Sequence, residues 1–395
     1  MGSEAGTRSA ARSRGDTTDA VGANGLRRAG ALVLAAGAVW ALAAVPAAFA
    51  AGTGRPVVCM PGSDPSGAGV TGIFSPESPP AESIREVAWL VLAICGGIFL
   101  VVEGAIVYAV IRFRRRRRDE AAQGAAGERG SREPTQLYGS GPIELAWTVV
   151  PLGIVFLLTL VTIRTIREVE LTAPPEGALR VEVIGHQWWW EYRYPDAAGP
   201  GRPVVTANEL HVPVDRPIWL EMSSADVAHS WWVPKLAGKM DLIPGRTNRT
   251  WFQARRTGLF LGQCAEYCGT QHANMLLRVY VTSAADFDAW LRHQASAPVV
   301  PAAGTPAAEG RELFMDLACM NCHDVDGMST GMFGPNLTHL MSRETIAAGM
   351  TANSAASLRA WLDDPQRLKP GCNMPSLKLE PQELDQLTAY LETLH

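Results

Sequence analysis

The sequence predicts a multidomain membrane protein, in which a two-helix transmembrane hairpin precedes an all-β sandwich and a small all-α domain. Two apolar runs, at residues 87–111 and 143–163, are each long enough to cross a hydrocarbon layer of about 30 Å. Short runs that alternate polar and apolar residues occupy residues 171–294, and helical periodicity returns in residues 309–395. A chain of 395 residues is also too long for a single core, which favours several domains.

A third apolar run, at residues 31–50, lies close to the N-terminus. It follows Arg27 and Arg28 and ends in Ala-Phe-Ala, a pattern typical of a cleaved export signal. We therefore predict a signal peptide at residues 1–50 and an outer segment at residues 51–86. A third membrane helix is the alternative, because the run is long for a signal.

The orientation of the hairpin, residues 87–164, is predicted by its connecting loop. This loop, residues 112–142, carries a run of arginines at residues 114–118. Because positively charged loops stay in the cytoplasm, both ends of the mature chain are expected on the outer side of the membrane. The formal net charge of −4 gives no support to nucleic-acid binding.

Alternation of polar and apolar residues predicts the strands of the outer domain, residues 171–294. Turns rich in Pro, Gly, Asp and Asn separate the clearest runs, which are residues 180–184, 209–212, 217–222 and 276–281. Several short strands in one segment favour a sandwich or a barrel. A short helix over residues 286–294 is expected to close this domain.

The C-terminal part combines a linker with a small helical domain. Residues 295–308 are rich in Pro and Ala, which is typical of a semi-stiff linker. In residues 309–395, the last helix places four leucines on one face: Leu384, Leu387, Leu391 and Leu394. A domain of this size is marginal from core burial alone and usually needs an additional covalent or metal constraint.

That constraint is predicted at the motif Cys-Met-Asn-Cys-His. Its thiols, Cys319 and Cys322, have the spacing that attaches a c-type haem, and the adjacent His323 reaches the iron. A redox-active dithiol is the alternative, but it needs a βαβ context that this segment lacks. The second axial ligand is expected to be Met374, in an extended loop before the last helix, with Met350 as the next candidate. A sulfur ligand would raise the reduction potential and favour electron transfer.

A second cofactor is indicated by residues 263–275, QCAEYCGTQHANM. Cys264 and Cys268 could form a disulfide outside the cytoplasm, or could bind zinc together with His272. Neither alternative uses Met275, whereas a blue-copper site combines Cys, His and Met. Two thiolates can bridge two copper ions, and each ion then still needs an imidazole and a weak ligand.

The second imidazole is predicted to come from His229. This residue follows an expected strand, where a sandwich can bring it beside the cysteine loop. A lone histidine is more often structural, and His186 and His211 are interpreted in that way. For His229 the cofactor hypothesis is favoured, because the chemistry of the loop requires a partner.

Together these residues resemble subunit II of cytochrome c oxidase. Besides the cysteine loop and His229-Ser230-Trp231, the resemblance includes the motifs IELAWT at residues 143–148, HQWWWEY at residues 186–192 and DLIPGR at residues 241–246. The resemblance covers about residues 87–292. With the haem motif added, the chain is similar to bacterial subunits II that carry a fused cytochrome c. This implies a cupredoxin-like sandwich and a class I cytochrome c domain.

The resemblance also implies a role for each residue of the cysteine loop. In a binuclear copper A centre, the ligands would be two bridging thiolates, one imidazole for each ion, a weak thioether and a backbone carbonyl, from Cys264, Cys268, His229, His272, Met275 and Glu266. The carboxylate of Glu266 would bind a magnesium ion at the interface with subunit I.

Two further roles follow from the resemblance alone. Trp188 matches the position where electrons from cytochrome c enter, although Trp189 stands where the family usually has Tyr. Glu144 matches the acid at the mouth of a proton path into subunit I. The alternative for Glu144 is an interfacial acid that stabilises the helix dipole.

The implied function is that of an oxidase subunit in a bacterial inner membrane. Electrons from a soluble cytochrome c would pass through the haem and the copper pair to subunit I, which reduces O2 to water and pumps protons. Subunit III and membrane lipid are the other expected partners. The alternative is a membrane-anchored copper-delivery protein for oxidase assembly. That class has a thioredoxin-like fold and one membrane helix, and it lacks counterparts of Glu266 and Met275.

Overall fold

The computed structural model describes residues 72–113 and 138–395, apart from residues 196, 198, 200, 201 and 318. These residues belong to one compact unit, Met60–His395. The predicted signal peptide at residues 1–50 lies outside the described residues, as do residues 51–71 of the outer segment and the arginine run of the basic loop.

Two long apolar helices begin the described part of the chain. Helix α1 spans Pro79–Arg112 and helix α2 spans Gly141–Val169, and both are long and apolar enough to cross a membrane. Each helix is longer than the apolar run that predicted it. The extra turns contain charged residues that pair within the helix, such as Arg164 and Glu168 at 2.8 Å, so the helix continues where the apolar run ends.

The next segment folds into a β-sandwich of two five-stranded sheets. The strands are β1 (Leu179–His186), β2 (Trp189–Tyr194), β3 (Val204–Ala207), β4 (Glu209–Pro213), β5 (Ile218–Ser224), β6 (His229–Trp232), β7 (Met240–Leu242), β8 (Asn248–Phe252), β9 (Gly258–Cys264) and β10 (Leu276–Thr282). The strand order is β3-β2-β1-β5-β8 in the first sheet and β4-β10-β9-β6-β7 in the second. All four predicted alternating runs fall in these strands, apart from Pro217, which directly precedes β5. Helix α3 (Ala284–Gln294) closes the domain.

The sandwich core is unusually aromatic. Trp190 and Trp231 are fully buried between the sheets, together with alternate residues of β1 such as Val181 and Val183. His211 stacks between aromatic rings at the edge of this core, and burial lowers its pKa to about 3. A neutral, stacked imidazole agrees with the structural role predicted for this histidine.

The C-terminal domain is built mainly from helices. They are α4 (Pro306–Asp316), α5 (Ala355–Asp363), α6 (Pro365–Leu368) and α7 (Pro381–Leu391), and a short ribbon joins β11 (Thr345–Ile346) to β12 (Thr351–Ala352). Helices α4 and α7 cross at Gly310, where an added Cβ would lie 2.0 Å from the backbone oxygen of Gln386. The four predicted leucines are all buried in this core.

Hydrogen bonds join the sandwich to the start of α1 and to the end of α2. The hydroxyl of Ser78, just before α1, accepts a hydrogen bond from the N–H of Gln253 at 3.0 Å. The indole of Trp251 donates to the backbone oxygen of Val169, at the end of α2, also at 3.0 Å. Strand β8 and the residue that follows it therefore fix where the sandwich lies relative to the hairpin.

Replacing Ser78 with alanine should weaken this joint. The N–H of Gln253 would lose its acceptor, which costs about 1–3 kcal/mol. Amide hydrogen exchange at Gln253 is expected to accelerate roughly 5- to 150-fold in the full chain in detergent. Ser83→Ala is the control, because the hydroxyl of Ser83 donates to the side chain of Glu168 at 3.3 Å, and this variant should leave the amide of Gln253 unchanged. Equal exchange rates in the two variants would contradict the role assigned to Ser78.

Candidate functional site

The candidate metal site lies where β6 and β9 pair. Their antiparallel register places Trp231 opposite Cys264, so that His229, at the start of β6, reaches the cysteine at the end of β9. The Nδ1 atom of His229 lies 4.0 Å from the Sγ atom of Cys264. The sulfur atoms of Cys264 and Cys268 are 3.7 Å apart, well beyond the length of a disulfide bond, about 2.05 Å.

The remaining residues of the loop complete the site. A 3-10 turn, His272–Asn274, places the Nδ1 atom of His272 3.6 Å from the sulfur of Cys268. The Sδ atom of Met275 lies 3.8 Å from the same sulfur. The backbone oxygen of Glu266 lies 3.2 Å from the sulfur of Cys264. The structure therefore places two imidazoles, a thioether and a carbonyl oxygen beside the two neighbouring sulfurs, and the donor atoms of His229, Cys264 and Cys268 all lie within 4.8 Å of one another.

Burial and hydrogen bonding shift the pKa values of the two thiols in opposite directions. The hydrogen bond between the sulfurs lowers the pKa of Cys264 to about 3 and raises that of Cys268 above its usual range. Both side chains are buried in the sandwich. A thiolate beside an imidazole in a dry pocket is a soft donor set that suits copper, and each sulfur has its own imidazole neighbour.

Asp226 holds the imidazole of His229 from the side away from the thiols, a role that was not predicted from the sequence. Its carboxylate accepts a hydrogen bond from Nε2 of His229 at 2.8 Å and another from the N–H of Gln187 at 2.6 Å. Burial lowers the pKa of His229, but the bonds with Asp226 and Cys264 outweigh burial and raise it. The bond at Nε2 leaves Nδ1 facing the sulfur, as for a metal-binding histidine oriented by a carboxylate. An Asp three residues before the histidine was the available sequence signal.

Trp188 lies against the same loop. Its indole N–H donates to the backbone oxygen of Cys268 at 3.0 Å, and the side chain of Gln187 donates to that oxygen at 2.8 Å. Gly269 makes this approach possible: its φ is +112°, and an added Cβ would lie 3.1 Å from the Trp188 ring. Only 8% of Trp188 is exposed, so the residue predicted as an electron entry point is covered within this chain.

The haem-attachment motif lies in the C-terminal domain. The thiols of Cys319 and Cys322 are free, and Cys322 is exposed. The imidazole of His323 bonds through Nδ1 to the backbone oxygen of Pro335 at 2.8 Å, and burial lowers its pKa. A neutral imidazole anchored through Nδ1 keeps Nε2 for an iron ion. An open depression of about 700 Å³, lined by Met320, Asn321 and Asp324 among others, lies beside the motif.

The other two predicted residues, Met374 and Glu144, each have hydrogen bonds to residues nearby in the sequence. Met374 is half-buried in the loop before α7, where its backbone oxygen accepts a hydrogen bond from the side chain of Gln366 at 2.9 Å. Glu144 lies in the first turn of α2, and its carboxylate accepts a hydrogen bond from the N–H of Ser140 at 3.1 Å. This bond fits the alternative in which Glu144 stabilises the helix start.

Comparison with known families assigns three consecutive parts of the chain. Residues 70–165 match the family model "Cytochrome C oxidase subunit II, transmembrane domain", and residues 197–282 match "Cytochrome C oxidase subunit II, periplasmic domain". Residues 307–395 match the "Cytochrome c" family. The two membrane-capable helices and the periplasmic domain together fit an inner-membrane protein.

Individual relatives agree with these family matches. The chain is 32% identical to cytochrome c oxidase subunit 2 of Alkalihalophilus pseudofirmus over 326 residues, which cover 81% of this chain and 90% of the relative. It is also 32% identical to the Bacillus subtilis subunit 2 over 73% of this chain and 81% of the relative. The crystal structure of the periplasmic domain of subunit II of cytochrome oxidase from Bradyrhizobium japonicum is 35% identical. The alignment with that structure covers 31% of this chain and 96% of the structure's chain, with a TM-score of 0.29.

The family matches extend from the first long helix to the last residue, in the order hairpin, sandwich and haem-binding domain. The identity of 32% continues across most of both chains. Copper and a c-type haem are the cofactors that these domains imply, and the donor sets described above suit both. The chain belongs to the cytochrome c oxidase subunit II family, with a cytochrome c domain at its C-terminus, and is therefore a subunit of a haem-copper oxidoreductase.

Proposed function

We propose that this chain is the electron-input subunit of its oxidase. It would accept electrons from a soluble cytochrome c through a fused haem c and pass them through a binuclear copper A centre to subunit I, where O2 is reduced to water and protons are pumped. The observation that carries this proposal is the gathering of two thiols, two imidazoles and a thioether in one buried site. The same chain also contains a haem-attachment motif.

In this proposal the thiolates of Cys264 and Cys268 would hold the two copper ions together. His229 and His272 would bind one ion each, and the thioether of Met275 would be a weak ligand. The separations of 3.6–4.0 Å among their sulfur and nitrogen atoms support this division. When bound, a thiolate-bridged copper pair shares one unpaired electron between its ions and so reorganises little on reduction. The protein contributes a dry pocket that is held in place by β6, β9 and Asp226.

Glu266 has two proposed roles at the edge of this pocket. Its backbone oxygen, 3.2 Å from the sulfur of Cys264, is the remaining weak copper ligand. Its half-buried side chain would bind a magnesium ion at the interface with subunit I. The neighbouring Tyr267 is 76% exposed, which is consistent with a partner surface beside this loop.

In the C-terminal domain, Cys319 and Cys322 would attach the haem and His323 would bind its iron. Met374 is the proposed second axial ligand. Trp188 is proposed to carry electrons toward the copper site, because its indole contacts the backbone of Cys268 directly. Since Trp188 is covered, we expect these electrons to come from the haem domain of the same chain.

The remaining proposals concern topology and partners. We propose subunits I and III, a soluble cytochrome c and membrane lipid as partners, with both ends of the mature chain on the outer side of the inner membrane. Glu144 is proposed as the acid at the mouth of a proton path into subunit I.

The proposed domains are the signal peptide 1–50, outer segment 51–86, hairpin 87–164 with its cytoplasmic loop 112–142, copper A domain 171–294, linker 295–308 and cytochrome c domain 309–395. Because α1 begins at Pro79, the hairpin helix extends into the outer segment.

The copper-delivery alternative does not account for the fold. That class has a thioredoxin-like fold and a single membrane helix, whereas this chain has a ten-stranded sandwich and, among its described residues, two helices that could cross a membrane. The sandwich also brings His229 and Met275 to the same thiol pair, an arrangement that a delivery site does not need.

Electron paramagnetic resonance of the full chain tests the copper proposal. The chain matured with haem and reconstituted with copper is expected to show hyperfine splitting from two equivalent copper nuclei, beside the optical bands of a His/Met haem. Cys268→Ser, which removes one bridging thiolate, should abolish the mixed-valence signal and leave the haem bands intact. A single-copper or silent spectrum in the unsubstituted chain, with haem present, would contradict the proposal.

Asp226 provides a second test of the copper site. Asp226→Ala leaves Nε2 of His229 without its acceptor and lets the ring turn, so copper affinity should fall about 10- to 100-fold in competition with a chelator. The exposed Asp288, on helix α3, is the matched control, and Asp288→Ala should bind copper like the unsubstituted chain. Unchanged affinity in Asp226→Ala would show that the carboxylate does not orient the histidine.

The haem ligand is tested by comparing two methionines. Met374→Ala should remove the sulfur-to-iron absorption band and lower the reduction potential of the haem, because a thioether ligand raises it. Met350→Ala should keep both properties. Loss of the band in Met350→Ala instead would transfer the axial role to Met350.

A further inference from the structure

A buried lysine joins the haem-binding domain to the sandwich. Only 3% of Lys369 is exposed, and its Nζ atom lies within hydrogen-bonding distance of three backbone oxygens. They belong to Trp188 at 2.9 Å, Asn274 at 3.0 Å and Ala347 at 3.2 Å. An ammonium group has three N–H donors and no acceptor, so this site uses its full donor capacity.

Two of the three partners of Lys369, Trp188 and Asn274, lie next to candidate copper ligands. Trp188 donates its indole N–H to the backbone oxygen of Cys268. Asn274 immediately precedes Met275, whose sulfur lies 3.8 Å from that of Cys268. One amine from the haem-binding domain therefore binds the backbone on two sides of the cysteine loop, residues 263–275.

The residues after Lys369 continue this contact. Residues 369–373, which we call the docking segment, contact the sandwich at the cysteine loop, residues 263–275, and at Gln187. The side chain of Gln271 donates to the backbone oxygen of Pro370, and the side chain of Asn373 donates to the backbone oxygen of Gln187 at 2.9 Å. The next residue is Met374, the proposed haem ligand. A chain of five residues thus links the two candidate redox sites.

A separate contact holds the domains together farther along the interface. The carboxylate of Glu209, on β4, accepts hydrogen bonds from the N–H groups of Glu344 at 3.0 Å and Thr345 at 2.9 Å. The guanidinium of Arg278 pairs with Glu344 at 3.2 Å. Because these bonds do not involve the docking segment, the domains should stay associated when Lys369 is changed.

The burial of Lys369 is costly, which suggests that it serves more than stability. Burial lowers its pKa to about 7, because the surrounding protein solvates the ammonium less well than water does. Buried charges give little net stability but can select one arrangement over others. Three carbonyl acceptors from two domains impose such an arrangement, since the amine reaches all of them only in one relative placement of the domains.

We infer that Lys369 is a positioning residue, whose bonds to the carbonyls of Trp188, Asn274 and Ala347 hold the haem-binding domain in one fixed placement over the candidate copper site. This inference rests on the proposed function, in which a single electron leaves the reduced haem and reduces the oxidised copper pair. The rate of electron transfer between two bound cofactors depends on their separation and orientation, so a small displacement of one domain is expected to change it.

Lys369→Gln in the full chain tests the inference, and Lys378→Gln is the matched control because Lys378 is exposed in the same domain. The first measurement needs no cofactor. The N–H of Leu276 donates across the interface to the backbone oxygen of Ala348 at 3.3 Å. Its hydrogen exchange should accelerate on the order of tenfold in Lys369→Gln and remain unchanged in the control.

The second measurement follows electron transfer in the chain loaded with haem and copper. After photochemical one-electron reduction of the haem, transfer to copper should slow on the order of tenfold in Lys369→Gln, with the optical and paramagnetic spectra of both centres unchanged. Asn373→Ala, a milder change at an exposed residue of the docking segment, should slow it in the same direction. It keeps the test decisive if Lys369→Gln folds poorly.

The outcomes separate this inference from the proposed function. Unchanged exchange at Leu276 together with an unchanged transfer rate would overturn the inference. Faster exchange with an unchanged rate would also overturn it, because the contact would then be structural only. A missing copper signal in the unsubstituted chain would overturn the proposed function, and the exchange measurement would still decide whether Lys369 holds the interface.

Discussion

The pairing of β6 with β9 is the constraint on which the candidate copper site depends. It brings an imidazole from one strand beside a thiol from another, 35 residues apart along the chain. Around this pair, the cysteine loop supplies the other donors from within a single turn of chain. The aromatic core of the sandwich keeps water away from both sulfurs, so that soft ligands face one another in a dry pocket.

The rest of the structure holds this pocket in relation to its surroundings. At one boundary, β8 is hydrogen-bonded to the end of α2, and the residue after it is hydrogen-bonded to Ser78, just before α1. At another boundary, the docking segment and Glu209 attach the haem-binding domain. The proposed function, in which this subunit passes electrons between partners, needs fixed distances, and hydrogen bonds to backbone groups at both boundaries would provide them.

Much of the fold follows from periodicity in the sequence. The apolar runs in α1 and α2, the alternation in β1, β4, β5 and β10, and the leucine face of α7 each reflect burial on one side of a regular element. Helix ends were harder to predict, because Arg164 and Glu168 extend α2 by pairing along the helix after its apolar run ends. The bonds of Asp226 and Lys369 were not predicted, for two different reasons. Asp226 lies only three residues before His229, but spacing alone does not show that the two side chains turn toward each other. The partners of Lys369 are distant in sequence.

The sequence by itself determined the chemistry of the chain. The spacing of Cys264, Cys268, His272 and Met275 keeps their donor atoms on one loop, and the haem motif is likewise local, so no long-range contact is needed to recognise either. Only the tertiary structure shows that the ring of His229 lies beside the sulfur of Cys264, and that Trp188 is buried with its backbone oxygen bonded to Lys369 of the C-terminal domain. The physical reason is that strand pairing and domain docking join residues that are far apart in the chain, which local spacing does not encode.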